Sequence, residues 1–201
     1  GLLSKYAIVI LDEAHERTLN FDILLGLLKS VQRRRKEAAG KKKPLKIVIM
    51  SATLEADVFC KYLDGCPKLD IPGRKFPVEV FYTITPEKDY VEAALCATVQ
   101  VHLEEPEGDI LVFLTGQEEI ENAETLLAEH VQDLPPEAGP VSIVMLYAAM
   151  PPEIQLKAFR PAPKGTRKVI LATNIAETSL TIDGVRYVVD PGFVKQRQFN
   201  P

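Results

Sequence analysis

The chain has 201 residues, of which 46% are hydrophobic, and a formal net charge of −4 at neutral pH. This hydrophobic content supports a packed core and excludes an intrinsically disordered chain, and the length allows one large domain or two small ones. The slightly acidic balance excludes a protein that coats nucleic acid by charge alone, so any nucleic-acid contact must be local. No apolar run approaches the roughly 18 residues that a membrane span requires.

The cysteines and histidines indicate an intracellular protein without a structural metal. Cys60, Cys66 and Cys96 are odd in number and unevenly spaced, which is typical of reduced thiols in the nucleus or cytoplasm. They form no Cys/His pattern of the zinc type. His102 and His130 fall within helical patterns, and we expect both to be surface or partly buried residues.

In the first part of the chain, apolar runs alternate with helical patterns. Residues 6–11 form a continuous apolar run, which is typical of a strand buried on both faces of a parallel sheet. The pattern then predicts a helix at 21–35, a second buried strand at 46–50, a short helix at 55–63 and a third strand at 68–73.

The alternation continues after a cluster of Pro72, Gly73 and Pro77. The later strands are predicted at 78–84, 109–116, 142–147, 167–173 and 185–190, and the helices at 91–103, 118–131 and 152–159. Strands that alternate with helices favour an α/β fold with an open, mostly parallel sheet. The cluster predicts two such units, residues 1–72 and 78–201, joined by a linker at 73–77.

Polar stretches follow several predicted strands at their carboxyl ends. They are DEAH (12–15), SAT (51–53), LTGQEE (114–119) and ATNIAETS (172–179). Because ligands of parallel α/β sheets gather at this edge, the four stretches predict one long functional edge.

Asp12 and Glu13 are adjacent carboxylates at a strand tip. Such a pair suits Mg²⁺, which usually keeps several waters between itself and protein oxygens. One carboxylate can hold the metal while the other polarises an attacking water, as phosphoryl transfer requires. The simpler alternative for an isolated pair is that it caps the following helix.

Four ordered motifs resemble motifs II to V of the DEAH-box RNA helicases, superfamily 2 enzymes with two RecA-like domains. They are ILDEAHERT (10–18), MSATL (50–54), FLTGQEEIE (113–121) and ATNIAETSLTIDG (172–184), and the segments IPGRKFPVEV (71–80), FRPAP (159–163) and VVDPGFVKQRQFNP (188–201) also resemble that family. The resemblance spans nearly the whole chain. It implies ATP as substrate, Mg²⁺ as cofactor and RNA as partner.

The resemblance implies roles for five residues of the first unit. Asp12 matches the acid of the Mg²⁺ site, and Glu13 matches the carboxylate that activates the hydrolytic water. His15 matches the residue that links the nucleotide site to the second domain; its alternative is a satisfied histidine at a sheet edge. Ser51 and Thr53 match the element that couples hydrolysis to unwinding, whereas on their own they would cap the next helix.

In the second unit, the resemblance implies an RNA-binding set. Thr115 and Gly116 match a turn that approaches the nucleic-acid backbone, where a glycine lets the chain come close. Thr173 and Asn174 match residues that bind RNA phosphates and sugars, contacts that position a strand without reading its sequence.

A nucleotide-binding set is implied as well. Thr181 and Asp183 match positions on the ATP side of the cleft, with Asp183 at the ribose. Phe159 matches a phenylalanine that stacks on adenine. The alternative for Phe159 is a core residue of the 152–159 helix.

The printed sequence contains neither a GxxxxGK[ST] phosphate loop nor an arginine-rich motif VI. In the family the first precedes DEAH and the second would follow Pro201. Since the chain also begins with Gly1 rather than methionine, we expect an internal segment of an ATP-dependent RNA helicase that is inactive by itself. The alternatives are a short product that binds RNA or a partner without catalysis, and a DNA-directed or viral relative of superfamily 2.

Overall fold

A computed structural model of the protein describes residues 2–38, 43–52, 56–73, 76–176 and 181–195. The chain divides into two compact units, Gly1–Val78 and Glu79–Pro201. Each described sheet is parallel, with the strand order β1-β2 in the first unit and β4-β5-β3-β6 in the second. The predicted α/β class is confirmed.

The first unit contains β1 (Ile8–Leu11), α1 (Leu19–Glu37), β2 (Lys46–Ile49) and α2 (Ala56–Tyr62). Its core forms where the apolar side of α1, including Leu25 and Leu28, packs against Leu11 and against Phe59 of α2. The helix α1 begins where the Thr18 hydroxyl accepts a hydrogen bond from the Phe21 backbone N–H at 3.2 Å. Thr18 therefore satisfies one of the amides that a helix start leaves unpaired.

The strand β1 is buried on one face only among the described residues, so the prediction of two buried faces was wrong. Ile8 and Ile10 are 52% and 59% exposed, whereas Leu11 is 6% exposed. Successive side chains of a strand point to opposite faces, and α1 and α2 pack on a single face of this sheet. The second predicted buried strand behaves in the same way, since Val48 is exposed.

The second unit alternates regularly between helices and strands. Its elements are α3 (Tyr90–Glu104), β3 (Asp109–Phe113), α4 (Gln117–Gln132), β4 (Val141–Leu146), α5 (Pro152–Phe159), β5 (Arg167–Ala172) and β6 (Val185–Val189). The central strands β3 and β5 are buried on both faces: Ile110 and Val112 pack against α3 and α4, and Leu111 packs with Ala158 of α5. These strands match the expectation of continuous apolar runs.

Two predicted strands are absent from the described structure. The described residues of 68–73 and 78–84 form no strand, and Val78, Phe81 and Ile84 are almost fully exposed. Their apolar and β-branched composition indicates a strand, but a strand forms only where a neighbour supplies its hydrogen bonds, and these segments have none among the described residues.

Cys60, Cys66 and Cys96 are free cysteines, and the Cys66 and Cys60 sulfurs lie 3.6 Å apart. In the described parts of the chain, no helix combines the length and apolar character that crossing a membrane requires.

Candidate nucleotide and nucleic-acid sites

The DEAH stretch forms a tight turn directly after β1. The Asp12 carboxylate accepts the Glu13 backbone N–H at 2.8 Å, and Glu13 has left-handed backbone angles (φ 53°, ψ 41°). A residue other than glycine adopts this conformation at a cost of roughly 1–2 kcal/mol, and such strain is concentrated at functional sites. Neither carboxylate caps α1, because Thr18 does so. The structure thus gives no support to the capping alternative.

The turn brings Glu13 and His15 together. His15 Nδ1 lies 3.4 Å from Glu13 Oε2, an ion-pair distance when the imidazole is protonated. Their side chains are 27% and 34% exposed, so both are accessible from solvent. Although close to the carboxylate, Nδ1 has no hydrogen bond of acceptable geometry among the described residues.

Backbone hydrogen bonds join the DEAH turn to the SAT stretch. The Met50 N–H donates to the Leu11 carbonyl at 2.8 Å, and the Ala14 N–H donates to the Met50 carbonyl at 3.0 Å. Ser51, which is partly buried, therefore lies beside the turn at the carboxyl end of β1 and β2. Thr53 lies outside the described residues.

The donor set at this turn fits Mg²⁺ bound through water. The described residues contain no group of three or more His, Cys, Asp or Glu side chains that could enclose a metal. Mg²⁺ differs from zinc in this respect, because one or two carboxylates, several waters and substrate phosphates commonly complete its six ligands. Asp12, an exposed carboxylate, can hold such an ion beside Glu13.

In the second unit, the predicted RNA-binding residues share one edge of the sheet. Thr115 and Gly116 follow β3, and Thr173 and Asn174 follow β5. The two strands pair in parallel, and the Leu114 N–H continues the ladder by donating to the Ala172 carbonyl at 2.8 Å. Neighbouring strands therefore present both dipeptides at their carboxyl ends.

Sequence reasoning missed two residues that hold this turn, Tyr90 and Glu119. The Glu119 carboxylate accepts the Thr115 backbone N–H at 3.0 Å, the Thr115 hydroxyl at 2.8 Å and the Tyr90 hydroxyl at 2.5 Å. Gly116, the N-cap of α4, has no side chain to cap the helix. A glutamate three residues after the N-cap is the capping-box spacing, and this signal was available in FLTGQEEIE.

These contacts shift two pKa values. Burial alone would raise the pKa of the Glu119 carboxyl, but the hydrogen bonds from Tyr90 and Thr115 outweigh it and hold that pKa below its usual range. The hydrogen bond to Glu119 raises the pKa of the Tyr90 hydroxyl. Glu119 is therefore ionised and Tyr90 protonated at neutral pH.

The predicted nucleotide-binding residues lie at the opposite end of this sheet. The Lys168 ammonium, at the start of β5, donates to the Ala158 and Arg160 carbonyls at 3.0 and 2.9 Å, which places the last turn of α5 and Phe159 at this end. Asp183 lies two residues before β6 and is exposed.

The individual environments of these residues differ. Thr181 is exposed two residues before Asp183. Phe159 is half-buried and packs against the cluster that contains Leu146 and Ile170, which agrees with the alternative reading of a core residue. The part of its ring that stays accessible is what an adenine could contact.

Comparison with known proteins assigns the class. Residues 91–199 match the helicase conserved C-terminal domain. The crystal structure of the Escherichia coli DEAH/RHA helicase HrpB superimposes with a TM-score of 0.82 and 41% identity, over 99% of this chain and 24% of that one. The chain therefore belongs to the helicase family and has the RecA-like fold.

Two curated relatives define the family more closely. The chain is 54% identical to the pre-mRNA-splicing factor ATP-dependent RNA helicase prp22 of Schizosaccharomyces pombe, over 100% of the chain and 16% of the relative. It is 45% identical to the pre-mRNA-splicing factor ATP-dependent RNA helicase DEAH10 of Arabidopsis thaliana, over 99% of the chain and 32% of the relative. The chain belongs to the DEAH-box RNA helicases, and it spans a third or less of these proteins.

Proposed function

We propose that the intact protein is an ATP-dependent RNA helicase that couples hydrolysis of Mg-ATP to translocation on RNA and to its remodelling. The observation that carries the proposal is the strained turn that holds Asp12 and Glu13 at the tip of β1. The relatives' names support RNA and its protein complexes as the substrate and, since both are splicing factors, the nucleus rather than the cytoplasm as the location.

In this mechanism the two carboxylates divide the work. Asp12 would hold Mg²⁺ through water, and the bound ion would neutralise charge on the phosphates. Glu13 accepts a proton from the attacking water and orients it. His15, 3.4 Å from the Glu13 carboxylate, responds to the charge on Glu13 and links the site to the second domain.

Coupling to RNA begins with the backbone bond between Ala14 and Met50. A displacement of the DEAH turn moves the start of the SAT stretch, so Ser51 and Thr53 report the state of the nucleotide. In the second unit we propose that Thr115, Gly116, Thr173 and Asn174 bind the RNA backbone, a set that lies at one sheet edge.

The nucleotide contacts of the second unit are assigned to three residues. Asp183 binds the ribose, Thr181 contacts ATP and Phe159 stacks on adenine. Exposure of Asp183 and Thr181 supports their access to a ligand.

Substitution Glu13→Gln tests the catalytic assignment in the intact protein. It keeps the size of the side chain but removes the base, so RNA-stimulated ATP hydrolysis should fall at least about 100-fold. Binding of ATP should be retained. Glu16→Gln, an exposed glutamate of the same turn, is the matched control and should hydrolyse ATP normally. Undiminished hydrolysis in Glu13→Gln would contradict the role of Glu13.

A second candidate function concerns the chain by itself. Without a phosphate loop in the printed sequence, we expect no hydrolysis from these 201 residues, yet the segment with Thr173 and Asn174 needs no nucleotide to bind a phosphate backbone. The chain would then act as an RNA- or partner-binding segment. Its test is binding of single-stranded RNA without ATP at rising salt, and affinity that does not depend on salt would remove this candidate.

A further inference from the structure

The Thr115 turn has an unusual distribution of hydrogen-bond donors. Thr115 has two donors, the backbone N–H and the hydroxyl. Both donate to the Glu119 carboxylate, at 3.0 and 2.8 Å. The neighbouring Tyr90 hydroxyl donates to the second oxygen of the same carboxylate at 2.5 Å.

The ionised carboxylate fixes the direction of these bonds. A carboxylate only accepts, so the protons of both hydroxyls must point toward Glu119. The Thr115 and Tyr90 oxygens lie 3.4 Å apart, and each offers only lone pairs to any other partner. Phosphate oxygens are also acceptors, and neither donor of Thr115 is available to bind them.

The surroundings of the turn suit a nucleotide. Thr115 is partly buried but reachable, and the space beside Gly116 is open, with no atom within 4 Å of where a side chain would begin. The Phe193 ring stacks on Tyr90 with centroids 4.5 Å apart and is itself 59% exposed. An exposed aromatic face is a common platform for a base of a single strand.

We propose that the Thr115 hydroxyl accepts a hydrogen bond from a ribose 2′-hydroxyl, and that Tyr90 and Glu119 are positioning residues that make this turn distinguish RNA from DNA. DNA has no 2′-hydroxyl and can offer no donor at this point. The inference rests on the proposed function, because it needs this sheet edge to bind nucleic acid. It adds a criterion of substrate choice that backbone-phosphate contacts do not provide.

The first test compares the affinity of the intact protein for a single-stranded adenosine oligonucleotide and for its deoxy counterpart, without ATP. Thr115→Val keeps the shape of the side chain and removes the acceptor. RNA affinity should fall roughly three- to ten-fold, the worth of one hydrogen bond, while DNA affinity stays the same. Thr125→Val is the matched control, because Thr125 lies on α4 and bonds only to the Glu121 carbonyl among the described contacts; it should change neither affinity.

The second variant, Glu119→Gln, keeps the turn and alters the donors. Its amide has one accepting oxygen, which stays with the two Thr115 donors, so the Tyr90 hydroxyl proton is released and can be donated to a phosphate. The ratio of RNA to DNA affinity should fall because DNA binding is kept or strengthened, a result that mere loosening of the turn would not produce.

The outcomes separate this inference from the proposed function. If Thr115→Val binds RNA as tightly as the unaltered protein, or loses RNA and DNA affinity equally, the 2′-hydroxyl contact is wrong and the helicase assignment stands. If the unaltered protein binds no RNA, the proposed function fails and this inference fails with it.

Discussion

Lys168 and Asp109 form an ion pair in the interior of the second unit, with Nζ 3.4 Å from Oδ2 and side chains 2% and 13% exposed. The Asp109 carboxylate also accepts the Lys168 backbone N–H at 3.0 Å. Since the same ammonium binds the carbonyls at the end of α5, one buried side chain joins β3, β5 and the segment that carries Phe159.

Replacing Lys168 by methionine should lower the free energy of unfolding by about 3–5 kcal/mol. The change keeps the length of the chain but leaves the Asp109 carboxylate and two carbonyls without their cation. Urea unfolding measures the loss, and Lys164→Met, at an exposed position, should change stability little. Adding Asp109→Asn to Lys168→Met should recover part of the loss; a Lys168→Met protein as stable as the control would contradict this account.

Gly184 should tolerate a side chain poorly. Its φ is +93°, and a Cβ would lie 2.8 Å from the Asp109 Oδ2 atom, which cannot retreat without leaving Lys168. Gly184→Ala should therefore destabilise the protein by more than Gly165→Ala, which has a φ of +79° but nothing within 4 Å. We expect about 1 kcal/mol for the backbone conformation alone and an additional loss at Gly184. Equal midpoints in thermal unfolding would show that the carboxylate moves aside.

His102 should make stability dependent on pH. It is 8% exposed, and burial, followed by the charge of Arg167, lowers its pKa, while the Gly139 backbone opposes the shift only weakly. Unfolded, His102 takes up a proton near its usual pKa of about 6.5. Below that pH the unfolded state binds more protons than the folded state, so the free energy of unfolding falls as the pH decreases toward the lower folded pKa.

Urea unfolding between pH 7.5 and 5 checks this expectation. The variant His102→Gln should lose part of the pH dependence, and His130→Gln, on α4, should retain it. A slope that is the same in all three proteins would assign the pH dependence to other groups.

Thr18 should contribute to stability as the cap of α1. Thr18→Ala removes the oxygen that accepts the Phe21 N–H and should cost about 1 kcal/mol. Thr18→Ser keeps that oxygen and should be nearly neutral. A loss of similar size in both variants would indicate that the methyl group, not the hydrogen bond, is what matters.

Local pattern predicted the second unit well. The helix at 152–159 was predicted with the bounds that α5 has, because Pro152 suits the first helical position and an apolar side follows. Burial was harder to predict. Both faces of β1 read as apolar, but which face is covered depends on how many elements pack on it. The prediction of strands at 68–73 and 78–84 was wrong for a related reason. A strand forms only where a neighbouring strand pairs with it, and the local sequence does not show whether such a neighbour exists.

The sequence predicted where along the strands the candidate site residues lie, but it did not predict their side-chain contacts. The pattern of apolar runs placed Asp12, Glu13 and Thr115 at strand ends, where the structure has them. The sequence did not reveal that Glu119 accepts a hydrogen bond from Tyr90. These residues are 29 apart along the chain, and only the folded structure brings them together. His102, expected at the surface or partly buried, is buried for the same kind of reason: packing against α4 and β5 covers it.

In the second unit, the predicted nucleotide-binding residues and the predicted RNA-binding residues lie at opposite ends of one rigid sheet. Phe159 and Asp183 are at one end, and Thr115 and Thr173 are at the other. Its central strands are buried on both faces and hydrogen-bonded along their length, so they do not stretch. A displacement of residues at one end of the sheet is therefore transmitted to the other end as a rigid-body rotation of the sheet. For a strand about 17–20 Å long, a tilt of roughly 5° displaces its far end by about 1.5–1.7 Å, which is enough to break or remake a hydrogen bond to a nucleotide.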